Sequence, residues 1–511
     1  MILIILDGWG IAKPNKGNAV TLAQTPTMNG LAKKYPYTEL CASAKCVGLP
    51  PGQVGNSEAG HMNIGAGRIV EQDVIKISRS INDGTFFKNA AFQEAIKSVK
   101  KNNGKLHLMG MLSDNSSPHS DPDHLLALLV LARKSGVKDI YLHLFTDGRD
   151  SPKYVSLKLV GALERKLNSN ERIATVMGRF YGMDRKKDWK RTEEAYNALV
   201  LGEGREALSP QAAIAESYNR GENDEYIPPY VMREKKKMLK RMGDKDSIIF
   251  FNLRSDRARQ LAKVFVQKDF NKKNPGSFKR KKILKEICFV ALTDFGPDLD
   301  SILTAYPGVD LKETLPMVLC DFKQLYLAEA EKYAHVTYFF NGGYAEPVGS
   351  EARMFLPSPN VRSYDETPLM NSAELAKTAL INLKNKWYDF TALNFAAPDM
   401  IGHTGNLAAG IKCCEGIDKL LSRIVKAYLK FSGTIIITAD HGNIEEMINL
   451  KTGEIDTEHS TNPVPFILVN DKIKGKVKLR EGGILGDIAP TILELIGLHK
   501  PREMTGKSLI K

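Results

Sequence analysis

Aspartate and histidine residues close to short apolar runs are the first candidates for chemistry in this sequence. They are Asp7, Asp399, His403, Asp440, His441 and His459. Asp399 and His403 are four residues apart, so a helical turn would place both side chains on one face. Carboxylates combined with imidazoles suit Mn²⁺ or Zn²⁺ better than Ca²⁺, which prefers oxygen ligands alone. One such aspartate is usually a turn or a helix cap, but six residues from separate regions favour a metal site.

A candidate nucleophile lies in the glycine-rich stretch GLPPGQVGNSEAGHMNIGAGR, residues 48–68. The stretch could be a flexible linker, but Asn56 and Ser57 are typical of a turn that presents a side chain at the start of a helix. Serine is a poor nucleophile at neutral pH, and a bound divalent cation would lower the pKa of its hydroxyl. The amino terminus of that helix would help to hold a phosphate on the serine. We therefore expect Ser57 to be the nucleophile of a metal-dependent phosphoryl transfer.

Short apolar, β-branched runs alternate with helical patterns along the chain, which predicts an α/β fold with mostly parallel sheets. The predicted strands are Ile2–Leu6, Leu106–Leu112, Ile140–Phe145, Ile173–Met177, Ile248–Asn252, Ile287–Thr293, Leu325–Ala328, Val336–Phe340, Thr391–Phe395, Thr434–Thr438 and Pro465–Val469. Helices are predicted at His124–Lys134 and Asp487–Leu498.

Polar clusters follow many of the predicted strands. They are LDGWG, LSDNSSPHSD, FTDGRD, MGRFYGMDR, FNLRSDRAR, AAPDMIGH and TADHGN. In open α/β sheets, ligands bind beyond the carboxyl ends of the strands. The two ends of the chain supply Asp and His whereas the middle supplies Arg, which indicates one domain inserted into another. We expect a metal-binding domain at residues 1–75 and 312–511, and an inserted substrate-binding domain at residues 76–311.

The net charge of +13 raises the possibility of a nucleic-acid-binding protein, but this charge is localised. Residues 232–286 contain 19 Lys and Arg against 6 Asp and Glu, so the remainder of the chain is neutral. The runs MREKKKMLKR and FKRKKILK lack the interleaved aromatic residues that would stack on bases. A pair of solvated loops is the better interpretation, and a field that attracts a small anion is the alternative. We expect no nucleic-acid partner.

Composition and cysteine content favour a soluble, cytoplasmic enzyme. Hydrophobic residues make up 43% of the chain and charged residues 26%, as in ordinary globular proteins. No apolar run approaches the roughly 18 residues of a membrane helix, and the apolar amino terminus lacks the features of a signal peptide. The six cysteines show no zinc-motif spacing, and we expect all of them to be reduced thiols. We predict a monomer with no membrane partner.

Seven motifs spread over nearly the whole chain resemble those of one enzyme family. They are GNSEAGHMNIGAGR, TDGRD, GRFYGMDR, NLRSDRARQ, EAEKYAHVTYFFNGG, PDMIGHTG and TADHGN. The family that they resemble is 2,3-bisphosphoglycerate-independent phosphoglycerate mutase, of the alkaline-phosphatase-like superfamily. The resemblance implies a phosphatase-like metal domain with an inserted substrate-binding (phosphotransferase) domain. It also implies interconversion of 3-phosphoglycerate and 2-phosphoglycerate in glycolysis and gluconeogenesis, without bisphosphoglycerate as cofactor.

The resemblance also implies roles for individual residues. One metal ion would be bound by Asp399, His403 and His459, and the other by Asp7, Ser57, Asp440 and His441. The substrate would be bound by His119, Arg149, Asp150, Arg179, Arg185, Arg254, Arg257 and Lys332. Mn²⁺ is the metal that the family suggests first, with Zn²⁺, Mg²⁺ and Co²⁺ as alternatives.

The chemistry of phosphoglycerate agrees with these roles. A carboxylate and a phosphate call for planar, bidentate donors, which favours arginine over lysine. Arg254 and Arg257 are three residues apart and would share one face of a helical turn. Asp150 or His119 could take the proton of a glycerate hydroxyl. Ser57 would hold the phosphoryl group and return it to the same glycerate at the neighbouring carbon.

One motif departs from the family pattern. Family members usually have SDGGVHSH where this chain has SDNSSPHSD, residues 113–121. We align His119 with the family's catalytic histidine because the His-Ser pair is retained. The nearest alternative is a phosphopentomutase or a phosphomonoesterase, which would share the metal ligands but lack DGRD and the paired arginine motifs.

Overall fold

The chain folds into two compact units, one of which is interrupted in sequence by the other. The first unit combines residues 1–72 with 309–511, and the second is formed by residues 73–308. The computed structural model describes residues 1–114, 117–234, 237–296, 298–308 and 311–511. Parts of two predicted features, the 113–121 loop and the lysine-rich stretch, therefore lie outside the described residues, at positions 115–116 and 235–236.

Short strands alternate with helices throughout the described chain. The strands are β1 (Ile2–Leu6), β2 (Tyr37–Cys41), β3 (Leu106–Leu112), β4 (Ile140–Thr146), β5 (Glu171–Gly178), β6 (Arg205–Ala207), β7 (Tyr230–Glu234), β8 (Lys237–Met238), β9 (Ser247–Phe250), β10 (Cys288–Thr293), β11 (Ile302–Tyr306), β12 (Gln324–Glu329), β13 (Glu351–Leu356), β14 (Phe390–Phe395), β15 (Ile435–Thr438), β16 (Val464–Val469) and β17 (Gly483–Ile484). The helices are α1 (Ala19–Leu22), α2 (Pro26–Lys34), α3 (Ser57–Ala66), α4 (Asp73–Asp83), α5 (Ala90–Asn102), α6 (Pro122–Lys134), α7 (Ser156–Glu164), α8 (Arg179–Gly182), α9 (Trp189–Val200), α10 (Pro210–Asn219), α11 (Ser255–Val266), α12 (Phe270–Lys273), α13 (Leu315–Val318), α14 (Ser372–Asn385), α15 (Ala397–Gly402), α16 (Leu407–Lys430) and α17 (Ile488–Ile496).

The sheet of the first unit has the strand order β13-β12-β14-β1-β15-β16-β2-β17. The strands from β13 to β15 are parallel, whereas β16 is antiparallel to both β15 and β2. The carboxyl ends of β1, β12, β14 and β15 therefore meet at one edge. The segment that precedes β16 reaches the same edge because β16 runs in the opposite direction.

The central strands of this sheet are buried on both faces. Every residue of β1, β14 and β15 is buried. Helices on the two faces of a parallel sheet explain why these strands are nearly continuous apolar runs rather than alternating ones. This burial makes the strand ends the places where polar side chains can be presented.

The sheet of the second unit has the order β11-β10-β9-β3-β4-β5-β7-β6, with β8 paired to β7. The strands from β11 to β5 are parallel, and β7 is antiparallel to β5. Alternate residues of β3 belong to separate apolar clusters: Leu106 and Leu108 pack in one, Met109 and Met111 in the other. Because side chains of a strand alternate between faces, these clusters are the two faces of one sheet.

All but one of the predicted strands are confirmed, and the predicted helices correspond to α6 and α17. The exception is Val336–Phe340, which is wrong because residues His335–Phe339 form a helical turn. Val336 and Phe340 are four residues apart and both buried, which is a helical spacing that β-branched and aromatic residues had disguised. Within the described residues, no helix combines the length and the apolar character needed to cross a lipid bilayer.

The expectation that all six cysteines are reduced is wrong for one pair. Cys41 and Cys46 form a disulfide, with their Cα atoms 5.9 Å apart. A short 3₁₀ helix, Ala44–Val47, folds the chain back on the end of β2 and brings the two sulfur atoms into bonding range. The remaining cysteines are not disulfide-bonded: Cys288, Cys320, Cys413 and Cys414.

Candidate active site

The polar edge of the first unit's sheet gathers the aspartates and histidines that the sequence singles out. Asp7 follows β1 directly. Asp440 and His441 follow β15 after one intervening residue. Asp399 lies in α15 after β14, and His459 lies shortly before the antiparallel β16. The direction of each strand therefore brings together residues from opposite ends of the chain.

Ser57 is the first residue of α3 and is 5% exposed. The side chain of Asn56 caps this helix by accepting a hydrogen bond from the Ala59 amide at 2.9 Å. The Ser57 Oγ atom lies 3.2 Å from Asp7 Oδ1 and 2.9 Å from His441 Nε2. A serine hydroxyl at a capped helix start is thus held in direct contact with the acidic cluster.

Lys332 is buried at the centre of this cluster. Its Nζ atom lies 2.6 Å from Asp7 Oδ1 and 2.6 Å from Asp399 Oδ2, and it donates a hydrogen bond to Ser57 Oγ at 2.7 Å. Burial lowers the pKa of Lys332, but the carboxylates of Asp399, Asp7 and Asp440 outweigh burial and raise it. The ammonium group is therefore charged at neutral pH.

Two groups of side chains have the composition and the spacing of metal sites. Within each group, the potential ligand atoms all lie within 4.8 Å of one another. One group is Asp7, Asp440 and His441, and the other is Asp399, His441 and His459. His403 joins the second group, because its Nε2 atom lies 3.4 Å from Asp399 Oδ1 and 3.1 Å from His459 Nε2.

Backbone hydrogen bonds orient the imidazoles of the second group. The Nδ1 atom of His403 lies 2.8 Å from Thr457 O, and that of His459 lies 2.8 Å from Gly55 O. Each Nδ1–H is thereby engaged, which leaves Nε2 as the atom that faces the cluster. This is the arrangement found around imidazoles that bind metal ions.

The donor set fits divalent metal ions. Asp440 Oδ2 is fully buried and accepts no hydrogen bond from the described residues, although His61 Nδ1 lies 3.1 Å away. A buried carboxylate oxygen without a hydrogen-bond donor is costly unless a cation compensates it. Carboxylates and imidazoles together suit first-row transition metals.

Some contributing residues escaped the sequence reasoning. Asn394 Nδ2 donates to Asp7 Oδ2 at 2.7 Å, and Asn443 Nδ2 donates to Asp399 Oδ1 at 2.8 Å. Both amides fix the orientation of a carboxylate in the cluster. The sequence contains a signal for each of them: Asn394 is a polar residue inside the apolar strand TALNF, and Asn443 belongs to the motif TADHGN.

The second unit carries a separate cluster at the carboxyl ends of β3, β4, β5 and β9. Arg179, at the start of α8 after β5, is its centre and is 2% exposed. Its Nη1 atom donates to Asp147 Oδ1 at 2.6 Å and also to Asp150, while Nη2 lies 3.0 Å from His119 Nε2. Asp147, which the sequence analysis did not select, also accepts the backbone amides of Arg149 and Asp150.

The remaining arginines surround this centre. Arg185 Nη1 donates to Asp256 Oδ2 at 2.7 Å, and Arg254 Nε lies 3.6 Å from Asp256 Oδ1. Burial, together with the charges of Arg179 and Arg185, lowers the pKa of Arg257 to about 10. Arg149 is more exposed, with Nη1 3.8 Å from Glu225. The cluster therefore combines five arginines with the carboxylates of Asp147, Asp150, Asp256 and Glu225.

His119 is neutral in this environment. Burial lowers its pKa well below the usual value, and Arg254, Arg179, Arg257 and Arg185 lower it further. A neutral imidazole accepts the hydrogen bond from Arg179 Nη2 through Nε2. The same atom lies 3.5 Å from Asp150 Oδ2, so the side chains of His119 and Asp150 are adjacent.

Comparison with known proteins identifies the family. The family model described as the amino-terminal region of BPG-independent phosphoglycerate mutase matches residues 77–296. The 2,3-bisphosphoglycerate-independent phosphoglycerate mutase of Clostridium kluyveri is 47% identical over 515 aligned residues, covering 100% of this chain and 99% of the relative. That of Moorella thermoacetica is 46% identical, covering 100% of this chain and 98% of the relative.

The chain belongs to the 2,3-bisphosphoglycerate-independent phosphoglycerate mutase family. It is therefore an isomerase, as the sequence motifs predict. A solved structure of Leishmania mexicana phosphoglycerate mutase, obtained at low cobalt concentration, superposes with a TM-score of 0.83. The two sequences are 29% identical, and the match covers 100% of this chain and 97% of that one. The predicted α/β fold with mostly parallel sheets is confirmed.

The described residues of the loop 113–121 place His119 in the arginine cluster. Leu253 N donates to His119 O at 2.8 Å, and Ser113 Oγ lies 2.9 Å from Ser120 Oγ. These contacts join both ends of the loop to each other and to the segment after β9. The histidine is thus anchored by its neighbours in space.

Proposed function

We propose that this protein interconverts 3-phosphoglycerate and 2-phosphoglycerate through a phosphoserine at Ser57. The observation that carries the proposal is the position of Ser57 Oγ, which contacts Lys332, His441 and Asp7 at the start of a capped helix. A seryl phosphate formed there would face the amino terminus of α3, which favours negative charge.

Two divalent metal ions would complete this site. Asp399, His403 and His459 would hold one, and Asp7, Ser57, Asp440 and His441 the other. Bound ions would lower the pKa of the Ser57 hydroxyl and neutralise charge on the transferred phosphoryl group. We infer Mn²⁺ as the resident ion, with Co²⁺, Zn²⁺ and Mg²⁺ as substitutes. The relative from Leishmania mexicana was studied at low cobalt concentration.

In the first half-reaction, Ser57 Oγ attacks the phosphorus atom as the alkoxide, and the bond between phosphorus and the glycerate oxygen breaks. Lys332 donates hydrogen bonds to the phosphoryl oxygens as charge develops on them, which a buried ammonium does effectively. Asn394 and Asn443 keep the carboxylates of Asp7 and Asp399 in place. In the second half-reaction, the other hydroxyl of the same glycerate attacks the phosphoserine.

Glycerate binding is assigned to the arginine cluster. Arg149, Arg185, Arg254 and Arg257 supply the planar donors that a carboxylate requires. Asp150, with neutral His119 beside it, gives a proton to the glycerate oxygen that leaves in the first half-reaction and takes one from the glycerate hydroxyl that attacks in the second. We accordingly assign metal chemistry to the domain of residues 1–75 and 312–511, and substrate binding to the domain of residues 76–311. We infer that the enzyme is a cytoplasmic monomer.

The experiment that tests this function pairs Ser57→Ala with Ser247→Ala. Removal of the nucleophile should lower mutase activity by roughly 1,000-fold or more. Ser247 is equally buried and donates to Ala95 O at 2.9 Å, so its variant should lose about 1 kcal/mol of stability but keep its activity. Phosphopeptide mass spectrometry of the quenched wild-type reaction should find phosphate on Ser57.

Metal dependence is tested on the same protein. Stripped enzyme should regain activity, without bisphosphoglycerate, on addition of Mn²⁺ or another of the four ions. Phosphate trapped on a residue other than Ser57 would contradict the mechanism. Hydrolysis of phosphoglycerate without isomerisation would instead indicate a phosphomonoesterase.

A further inference from the structure

The disulfide between Cys41 and Cys46 lies beside the segment that carries the proposed nucleophile. It joins the last residue of β2 to the 3₁₀ helix Ala44–Val47. Both cysteines are partly exposed, as thiol–disulfide exchange requires. Cys413 and Cys414, by contrast, are fully buried.

The loop closed by the disulfide is hydrogen-bonded to the segment that precedes Ser57. The amide of Ala44 donates to Gln53 O at 3.0 Å. A Cβ atom at Gly55 would lie only 2.3 Å from Ala42 O, so the two backbones are in direct contact. Glycine at position 55 permits this close approach.

The 3₁₀ helix that contains Cys46 also contacts the helix that presents Ser57. Asn63 Nδ2, on α3, donates to Val47 O at 3.2 Å. The disulfide therefore fixes a loop that touches the Ser57 segment before the serine and the helix after it. A change in this loop reaches Ser57 through two short, independent connections.

A third connection leads to the proposed metal ligands. Ser43 Oγ donates to Thr461 O at 3.1 Å, and the amide of Gly55 donates to Ser460 O at 3.4 Å. Gly55 O in turn accepts from His459 Nδ1 at 2.8 Å. The residues around the disulfide thus lie between the nucleophile and the segment 459–461.

The disulfide between Cys41 and Cys46 contributes little to the free energy of unfolding of the whole protein. It closes a loop with a sequence separation of five residues, and the entropy removed from the unfolded chain grows with loop length. Its principal effect is therefore local. A reversible covalent bond that restricts one functional loop, and contributes little elsewhere, suits regulation better than general stabilisation.

We propose that Cys41 and Cys46 form a thiol–disulfide exchange site that controls the positioning of Ser57. A thiolate of a small thiol attacks one sulfur, breaks the Cys41–Cys46 bond and forms a mixed disulfide. A second thiolate then displaces the protein sulfur. The protein gains two electrons and two protons as two thiols, and the small thiol is oxidised to its disulfide. The reverse exchange, with a small disulfide as oxidant, restores the bond. The inference rests on the proposed role of Ser57.

The test compares metal-loaded enzyme after treatment with dithiothreitol and after treatment with oxidised glutathione. A displacement of about 1 Å at an attacking atom can lower a rate by about 100-fold, so we expect reduction to lower kcat by about tenfold. The KM for 3-phosphoglycerate should stay nearly constant because the arginine cluster is untouched. Oxidation should restore kcat.

Two variants separate positioning from general effects of the reagents. Cys41→Ser/Cys46→Ser should have the low kcat of reduced wild type under both treatments. Cys320→Ser, which removes an exposed cysteine that is not disulfide-bonded, should respond as wild type does. Alkylation followed by mass spectrometry reports the state of each cysteine, and circular dichroism verifies that the variants are folded.

The possible outcomes are distinguishable. Equal kcat in the reduced and oxidised states, with the bond shown to be broken and formed, would overturn the inference but leave the proposed function intact. Alkylation of Cys41 and Cys46 after glutathione treatment, showing that no bond forms, would also overturn it. Absence of mutase activity in both states and with every metal would contradict the proposed function itself.

Discussion

At the scale of single residues, the arginine cluster depends on the shape of one guanidinium group. Arg179 contacts Asp147 and Asp150 through one terminal nitrogen and His119 through the other. The two terminal nitrogens of a planar guanidinium donate hydrogen bonds in different directions. The ammonium group of a lysine has a single nitrogen and cannot replace both of them. Because Asp147 and Arg179 are almost completely buried, water cannot substitute for a missing donor.

We expect Arg179→Lys to lower kcat/KM by roughly 100-fold, because the guanidinium group that positions both His119 and Asp150 is removed. Steady-state kinetics with 3-phosphoglycerate measures this effect. The matched control is Arg172→Lys in strand β5, which precedes Arg179, where the side chain is 38% exposed and its Nε lies 3.7 Å from Glu234. A surface pair of this kind contributes about 0 to 1 kcal/mol, so the control should be almost unaffected. Full activity of Arg179→Lys would refute the positioning role.

At the scale of elements, three neighbouring strands are joined by buried polar side chains. His107 Nδ1 on β3 lies 2.9 Å from His143 Nε2 on β4, and His143 Nδ1 lies 3.0 Å from Thr175 Oγ1 on β5. His107 Nε2 lies 3.1 Å from Asp246, which also pairs with Lys105. Both imidazoles are fully buried, and burial is the first cause that lowers the pKa of each.

This row of hydrogen-bonded side chains, called the histidine ladder below, predicts that acid destabilises the folded protein. The folded-state pKa of His143 is well below 6.5, so its neutral form is favoured by folding and the unfolded chain binds more protons below that pH. Stability is therefore retained above pH 6.5 and lost as the pH falls below it. Between about pH 7.5 and about pH 5.5, wild type should lose about 1 kcal/mol more than His143→Gln. Urea unfolding at the two pH values measures this difference.

A control for this measurement is His499→Gln, which removes an exposed histidine. This variant should show the pH dependence of wild type. If His143→Gln lost as much stability on acidification as wild type does, the histidine ladder would not be the cause of the acid destabilisation.

At the scale of the whole molecule, two exposed lysines of the basic segment 232–286 lie at the end of the sheet opposite to the arginine cluster. The exposed residues Lys245 and Lys285 precede β9 and β10, and the amide of Lys245 donates to Lys285 O. The site residues follow the opposite, carboxyl ends of β9 and its neighbours. A strand of six residues such as β10 spans about 20 Å, which exceeds the screening length of about 8 Å at physiological salt. The described lysines therefore favour the interpretation of solvated loops.

We expect the combined substitution Lys279→Gln, Lys282→Gln and Lys285→Gln to change kcat/KM by no more than about twofold, because screening removes their field at the cluster. Arg257→Gln provides the contrasting variant and should lower kcat/KM by at least tenfold, about 1.4 kcal/mol, since it removes a charged donor. Kinetics at two salt concentrations measures both effects. A large loss in the triple-lysine variant would instead support electrostatic attraction of the substrate.

The sequence by itself determined ten of the strands of the described chain and the polar clusters that follow many of them. Ile2–Leu6 and Leu106–Leu112 were predicted to the residue, because strands buried on both faces must be almost entirely apolar. The strands that escaped prediction include β11 and β13, which are only partly buried and contain polar residues. The motifs also determined the family, since they extend over nearly the whole chain.

Only the tertiary structure decided which of these residues meet. Lys332 contacts Asp7 and Ser57 across 325 and 275 positions of sequence, and no local pattern encodes such a contact. The strand expected at Val336–Phe340 and the thiols expected at Cys41 and Cys46 were wrong for the same reason. Local composition describes what a segment can form, whereas strand direction, crossover connections and burial decide what it packs against.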